Sequence, residues 1–410
     1  LILHQSLASL DLDRSSLAQT ELDIAERVRT NPFPWTGQFS PQLVEQLIST
    51  YAPQRSVLLD PFVGSGTSLL EATRLGLAAN GAEINPAAAI LSNVYRLANQ
   101  SILERSVIIE DLDGQIFPVA APLFSNRPPR QCNRAPLERA LIDISRNSTS
   151  ACGRFLAEAL IVLCDFHKNR VDEYKVQSTW GRLCQTVLAL PYSEKPIEVL
   201  QADARALPLA DDSCDFVLTS PPYINVQNYH QQYRRSVEAL SYDILEIAQS
   251  EIGSNRKNRS NRFISVVQYT IDISLALREI ARATRPGSLS ILVLGRVSTI
   301  QGVEFFNGEL VAEVAVNAVG MLMERRQERV FKNRYGKRIY EDILHFRSTR
   351  DVPDREFCIS SARRIAGQVL SATRISGAAN CDHPMIERAL SKLSEISPSP
   401  ILKPQSGPGA

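Results

Sequence analysis

The chain reads as an α/β fold, an open and mostly parallel sheet with helices on its faces. Three observations predict it. Val57-Leu58-Leu59 is a short apolar run cut off by Asp60-Pro61-Phe62, then glycines, then a helix start. Phe216-Val217-Leu218 is a second such run, cut off by Ser220-Pro221-Pro222-Tyr223. Residues 324–347 read as an antiparallel hairpin, with Gly336 at the turn and residues 340–346 as the returning strand.

The remaining elements follow in order. Residues 17–28 suggest one helix, and 31–38 (NPFPWTGQ) form a turn-rich lead-in. Ser40 is an N-cap candidate with Pro41 at the first helical position, and Leu43, Leu47 and Ile48 give the helix its apolar stripe. After the glycines comes a helix over 68–75 that Gly76 ends. A second strand covers 78–84, and Pro86 opens a helix over 87–98. The alternation then stops between residues 100 and 195. Phe155, Leu156, Leu160, Leu163 and Phe166 recur there at helical spacing, so this stretch is expected to be a mostly helical insertion. Residues 197–200 form the third strand and 211–213 a turn. Tyr229, Tyr233 and Leu240 suggest a helix through 248. A helix over 268–284, stopped by Pro286-Gly287, leads into a strand over 288–295. A helix over 308–319 precedes the hairpin. From Asp351 the composition turns to Ser, Pro and Gly; 384–396 could be a helix and 397–410 a disordered tail. This gives four segments: 1–99, 100–195, 196–350 and 351–410.

The proline stretch carries the chemistry. Two consecutive prolines fix two φ angles and remove two backbone donors, making a stiff turn at the end of a buried strand. Open α/β sheets place their ligand chemistry at such strand ends. Ser220 Oγ and the Pro221 carbonyl can accept the hydrogens of a flat amine, and the Tyr223 ring can stack on it. Gly64 and Gly66 let backbone approach a ligand closely. Glu83 lies about twenty positions further on, where a nucleoside-binding fold accepts the ribose hydroxyls. Asp203, just past the third strand, is placed to accept from an adenine amine.

Charge and composition bound the rest. The formal net charge over 410 residues is +1, so a nucleic-acid footprint must be local. Arg256, Lys257, Arg259 and Arg262 form one basic run without an acid, and Arg334 and Lys337 sit in the most basic part, the hairpin. The seven cysteines have no close metal spacing and read as free thiols of a reducing cytoplasm; no metal is expected. No apolar stretch is long enough to span a membrane, and no leader pattern opens the sequence.

Together the two loops resemble the DNA amino-methyltransferases that use S-adenosylmethionine. Phe62, Gly64 and Gly66 match the family's FxGxG motif, and Ser220, Pro221, Pro222 and Tyr223 match its [DNS]PP[YFW] motif. The resemblance covers most of 31–100 and 197–347. It implies a class I, Rossmann-like methyltransferase sheet whose last strand inserts antiparallel. It implies S-adenosylmethionine held by Phe39 and Ser40 at the methionine end, by Asp60, Pro61, Phe62, Gly64, Gly66 and Thr67 around the loop, and by Glu83, Asn85 and Asp203 at the nucleoside. The implied substrate is a base flipped out of double-stranded DNA. Serine at the first catalytic position leans toward N4 of cytosine. N6 of adenine, an RNA substrate and a non-catalytic binding role are the alternatives. The implied partner is a cognate restriction endonuclease, and 100–195 is a candidate target-recognition module.

Overall fold

The computed structural model describes residues 11–402 except 25, 27, 121–133, 167–170, 225–228, 255–260, 334 and 376–382. Seven strands form one sheet: β1 (Val57–Asp60), β2 (Ala78–Glu83), β3 (Ile197–Gln201), β4 (Cys214–Thr219), β5 (Thr284–Gly295), β8 (Leu322–Lys332) and β9 (Arg338–Arg347), in spatial order β3-β2-β1-β4-β5-β9-β8. β1 to β5 pair in parallel. β9 inserts between β5 and β8, antiparallel to both. This is the class I methyltransferase sheet the resemblance implied. A short hairpin, β6 (Val297–Ile300) with β7 (Val303–Phe306), stands apart and was not foreseen.

Strand residues alternate between two cores, as a two-residue period requires. Leu58, Phe216, Leu218, Ile291 and Val293 face one side, where helices Pro41–Tyr51 and Pro86–Asn93 pack. Leu59, Val217, Leu292 and Leu294 face the other, under helices Phe263–Ala283, Asn307–Asn317 and Arg355–Ile375. These strand residues are essentially unexposed, each worth roughly 1.5–3 kcal/mol of apolar burial.

The stretch from 100 to 195 is helical where described: Ile102–Ala120, Arg134–Asn147, Ala151–Cys164 and Glu173–Leu188. Leu156, Leu160, Val176 and Leu183 share the first core, so these helices are layered onto the sheet.

Four expectations are corrected. The helix expected over 17–28 is confined to Gln19–Asp23. The helix expected from Tyr229 to 248 is broken into a 3-10 turn, Arg234–Ala239 and Ile244–Ser250, because Tyr233 and Ser241 take positive φ. The helix expected from 268 begins at Phe263 and runs directly into β5, with Pro286 and Gly287 at the strand's exposed start. Past Asp351 stands a 21-residue helix, Arg355–Ile375, rather than irregular chain. Its buried Cys358, Ala362, Ile365, Ala366 and Leu370 recur at helical spacing, a signal that small-residue composition obscured. Within 397–402, expected as disordered tail, Ser399 and Leu402 are buried; 403–410 lie outside the described residues.

Cys152, Cys164, Cys184, Cys214 and Cys358 are free thiols; Cys132 and Cys381 lie outside the described residues. No described helix is long and apolar enough to cross a membrane.

Candidate active site

One pocket opens at the carboxyl ends of β1, β2, β3 and β4. Its lining includes Trp35 to Phe39, Pro61 to Ser65, Thr67, Glu83 to Asn85, Asp203, Ala204, Ser220 to Tyr223, Tyr229 and Ser250 to Ile252. The two motifs read from sequence, whose first residues Phe62 and Ser220 are 158 positions apart, therefore line a single cavity.

The glycine loop is held from below and from the side. Asp60 is buried and accepts from the Phe62 N–H (3.1 Å), Thr219 Oγ1 (2.6 Å) and Ser68 Oγ. It ties the end of β1 to the end of β4. Burial pushes its carboxyl up to about 6 against those hydrogen bonds. Asp60 thus supports the loop and does not line the pocket, and neither does Gly66. Gly66 has φ +93°, and a Cβ there would lie 2.5 Å from Tyr95. Only glycine fits both restrictions.

Glu83 faces the pocket. One oxygen accepts from the Gly64 N–H (2.9 Å) and the other from the Asn85 N–H (2.8 Å). A carboxylate has about four acceptor directions, so two remain for a ligand. Burial raises this group to about 7. Asn85 caps helix Pro86–Asn93 by accepting from the Ala87 N–H, and its Nδ2 is a buried donor with no partner among the described residues.

Asp203 also lines the pocket, but its acceptor directions are filled. Oδ1 takes the Arg205 N–H and Nε–H, both at 2.9 Å. Oδ2 takes an Arg205 Nη (2.6 Å) and the Leu402 N–H (3.2 Å). The expectation that Asp203 accepts an adenine amine is corrected on that ground. Phe39 lines the pocket. Ser40 does not: it sits at the start of helix Pro41–Tyr51, though its side chain makes no cap hydrogen bond.

The proline turn is anchored on three sides. The Pro222 carbonyl accepts from Tyr269 Oη at 2.9 Å. The Ile224 N–H donates to Asn307 Oδ1 (3.2 Å), and Asn307 Nδ2 donates to the Gly295 carbonyl (2.7 Å). Tyr223 lies against Gly295, where an added Cβ would come within 2.9 Å of its ring, and its Oη is 3.4 Å from Ser220 Oγ. Burial pushes the Tyr223 phenol up to about 12. Ser220 and Pro221, the residues that carry the two acceptors read from sequence, both line the pocket.

Several lining residues went unread. Trp35 stacks on Tyr233 at 6.3 Å and 19°, Tyr233 donates to the Pro34 carbonyl, and Gln38 Nε2 donates to Ser65 Oγ (2.6 Å). The lead-in thus folds against the glycine loop; its density of turn residues was the visible signal. Tyr229, Glu251 and Ile252 carried no signal. Glu251 is fixed by His230, accepting from its N–H (3.0 Å) and contacting Nδ1 (2.8 Å).

Of the basic residues read as phosphate contacts, Arg262 and Lys337 are exposed, and Arg256, Lys257, Arg259 and Arg334 lie outside the described residues. Much of the hairpin's positive charge is internally neutralised: Arg325 pairs with Asp13, Arg326 with Asp342 and Arg329 with Glu341.

These residues fit S-adenosylmethionine. Glu83 has spare acceptors for two hydroxyls, Phe62, Ile84 and Ile252 add apolar lining, and Asn85 brings an orphan donor.

Comparison with known proteins gives the same direction. Residues 16–93 match the family described as DNA methylase, of the N6/N4 type. A type II methyltransferase, M.MjaII of Methanocaldococcus jannaschii, is 32% identical over 79 residues, which is 19% of this chain and 15% of that protein. The likeness to the DNA amino-methyltransferases is thereby shown over the glycine-loop part of the chain. Among solved structures, a SAM-dependent methyltransferase from Methanosarcina mazei is 12% identical with a TM-score of 0.33, covering 74% of this chain and 98% of that one. The rRNA methyltransferase aviRa from Streptomyces viridochromogenes is 14% identical with a TM-score of 0.30, covering 85% and 96%. The fold assignment rests on the strand order above and not on these superpositions.

Proposed function

We propose that this chain transfers a methyl group from S-adenosylmethionine to the exocyclic amine of a base flipped out of double-stranded DNA, with N4 of cytosine as the acceptor. The observation that carries this reading is the meeting of the Ser220–Tyr223 turn and the glycine loop with Glu83 in one pocket.

When bound, S-adenosylmethionine supplies an electrophilic methyl on a sulfonium. The chain's own residues do the rest. An exocyclic amine is a poor nucleophile because its lone pair is delocalised into the ring. Ser220 Oγ and the Pro221 carbonyl accept its two hydrogens and turn the lone pair out of the ring plane. This is positioning and preorganised electrostatics, with no basic side chain required before transfer; the surplus proton of the methylated amine passes to solvent as the thioether S-adenosylhomocysteine leaves. Tyr269 and Asn307 hold the turn so that these acceptors do not have to reorganise. Tyr223, backed by Gly295, offers its ring to the flipped base. Phe39, Phe62, Gly64 and Thr67 shape the methionine side, and Glu83 with Asn85 takes the ribose. Arg262 and Lys337, with Arg256, Lys257, Arg259 and Arg334, are assigned to phosphate. A cognate restriction endonuclease is the partner in this reading.

The test is to incubate the purified protein with labelled S-adenosylmethionine and unmodified genomic DNA, then digest to nucleosides for mass spectrometry. Label in N4-methylcytosine, absent with Ser220→Ala and with Tyr223→Ala, is the expected result. Label in N6-methyladenine keeps the mechanism and overturns the base. Label only in total RNA overturns the substrate.

A further inference from the structure

Arg205 follows the end of β3, and its side chain has no exposed surface. It joins stretches far apart in sequence. It binds both oxygens of Asp203, at 2.9 and 2.6 Å, and Asp272 Oδ1 in helix Phe263–Ala283 at 2.7 Å. It donates to the Ser250 carbonyl (2.7 Å), the Ser399 carbonyl (2.9 Å) and the Pro400 carbonyl (2.9 Å). The 396–402 segment answers in kind. The Ser399 N–H (2.9 Å) and Oγ (2.7 Å) donate to the two oxygens of Asp272, and the Leu402 N–H donates to Asp203 Oδ2.

Two of the joined stretches are pocket lining, Asp203-Ala204 and Ser250-Glu251-Ile252. Strand order says which end of a ligand they meet. Ser220 follows β4, Glu83 ends β2, and β3 lies beyond β2. A ligand with its methyl at Ser220 and its ribose at Glu83 extends its purine toward β3. The charge balance explains why the segment matters. One guanidinium faces two carboxylates, and the surplus negative charge is met partly by N–H and O–H donors from 399 and 402. Without them both carboxylates lose donors and Arg205, whose side chain has no exposed surface in the full chain, loses two acceptors.

We propose that residues 396–402 are a structural part of the cofactor's nucleoside pocket, and that Arg205 is the positioning residue through which they hold the Asp203-Ala204 and Ser250-Ile252 walls. This rests on the reading of the pocket as an S-adenosylmethionine site.

The experiment compares the full chain, a chain ending at Glu395, and Ser399→Ala in the full chain. Each is titrated calorimetrically with S-adenosylhomocysteine, with far-UV circular dichroism as the check on folding. Loss of several buried charge-assisted hydrogen bonds is expected to weaken binding about tenfold or more in the truncated chain and about threefold in Ser399→Ala. A synthetic peptide of residues 396–410 added to the truncated chain is expected to restore affinity, which a merely destabilised fold would not show. Equal affinity in a folded truncated chain overturns the proposal, as does a loss that the peptide does not repair. Should the truncated chain fail to fold, unchanged affinity in Ser399→Ala overturns it. A full chain that binds no S-adenosylhomocysteine overturns the reading of the pocket itself.

Discussion

The near wall of the pocket, at the ends of β1 and β2, and the far wall, at the end of β3, are built by opposite means. The near wall is local. Asp60, Gly64, Gly66, Glu83 and Asn85 lie within 26 consecutive positions, and backbone N–H groups and glycine dihedrals do most of the holding. The far wall is assembled from afar: Asp203, Ser250 and Asp272 meet residues 399–402 around one buried guanidinium. Local walls are fixed by residue type at fixed spacing. Remote walls are fixed by partners that no spacing reveals.

Four measurements would break or sharpen that contrast. The largest effect is expected from Arg205→Met, which strands two buried carboxylates at the far wall. Such losses cost about 3–5 kcal/mol, read as a fall in the denaturation free energy. A change under about 1 kcal/mol would mean the hub is not holding the wall.

The near wall should instead answer to pH. Burial raises Glu83 from 4.5 to about 7 and Asp60 from 3.8 to about 6. In each, the folded chain holds its proton more tightly than the unfolded chain. The stability they contribute is complete below the unfolded values and is lost as pH rises through the folded ones. For Glu83 the loss amounts to about 3 kcal/mol at roughly 1.4 kcal/mol per pH unit. Ribose hydroxyls need the ionised carboxylate, so affinity for S-adenosylhomocysteine rises over the same interval in which unliganded stability falls. Denaturant titrations from about pH 5 to pH 8, with and without the ligand, check both slopes. Parallel slopes would remove Glu83 from the ribose role.

Gly66→Ala combines a positive φ with the approach to Tyr95 and is expected to cost about 2–3 kcal/mol. Gly76→Ala is its control, since φ is +69° but nothing lies within 4 Å of the added Cβ; about 1 kcal/mol is expected there. Equal thermal shifts in the two would leave the near wall with no packing restriction. The smallest effect is expected of Thr219→Val, which removes one hydrogen bond between the β4 end and Asp60. A loss of about 1–2 kcal/mol and a slower single-turnover methylation are expected. Unchanged turnover would uncouple Asp60 from the catalytic turn.

The same contrast explains what the sequence made legible. The place of Ser220-Pro221-Pro222-Tyr223 and the glycine loop at strand ends could be read because prolines and glycines set the backbone where they stand. Glu83 could be read from its distance to the glycines. Asp203 stood in the right place, but its acceptors go to Arg205 and Leu402, and neither bond leaves a trace in local pattern. Glu251 and Ile252 reach the pocket only because the chain from Tyr229 bends at Tyr233 and Ser241, two non-glycine residues at positive φ that propensity would not select. The helix Arg355–Ile375 was readable by period and hidden by its serines and alanines. The hairpin's composition overstates its free charge, since Asp13, Asp342 and Glu341 answer Arg325, Arg326 and Arg329, partners that the basic run itself does not reveal.

The reach of the far wall also sets a schedule. Asp203 waits for Leu402, 199 positions downstream. Translation at about 5–20 residues per second makes that wait about 10–40 s. The glycine loop and Glu83 precede Asp203 in the chain, and the Ser220–Tyr223 turn begins fewer than twenty positions after it, so all three are made long before the far wall receives its last strap. A nascent chain therefore carries the Ser220–Tyr223 turn well before the far wall can close, and the pocket described here is complete only once nearly all of the described residues have been made.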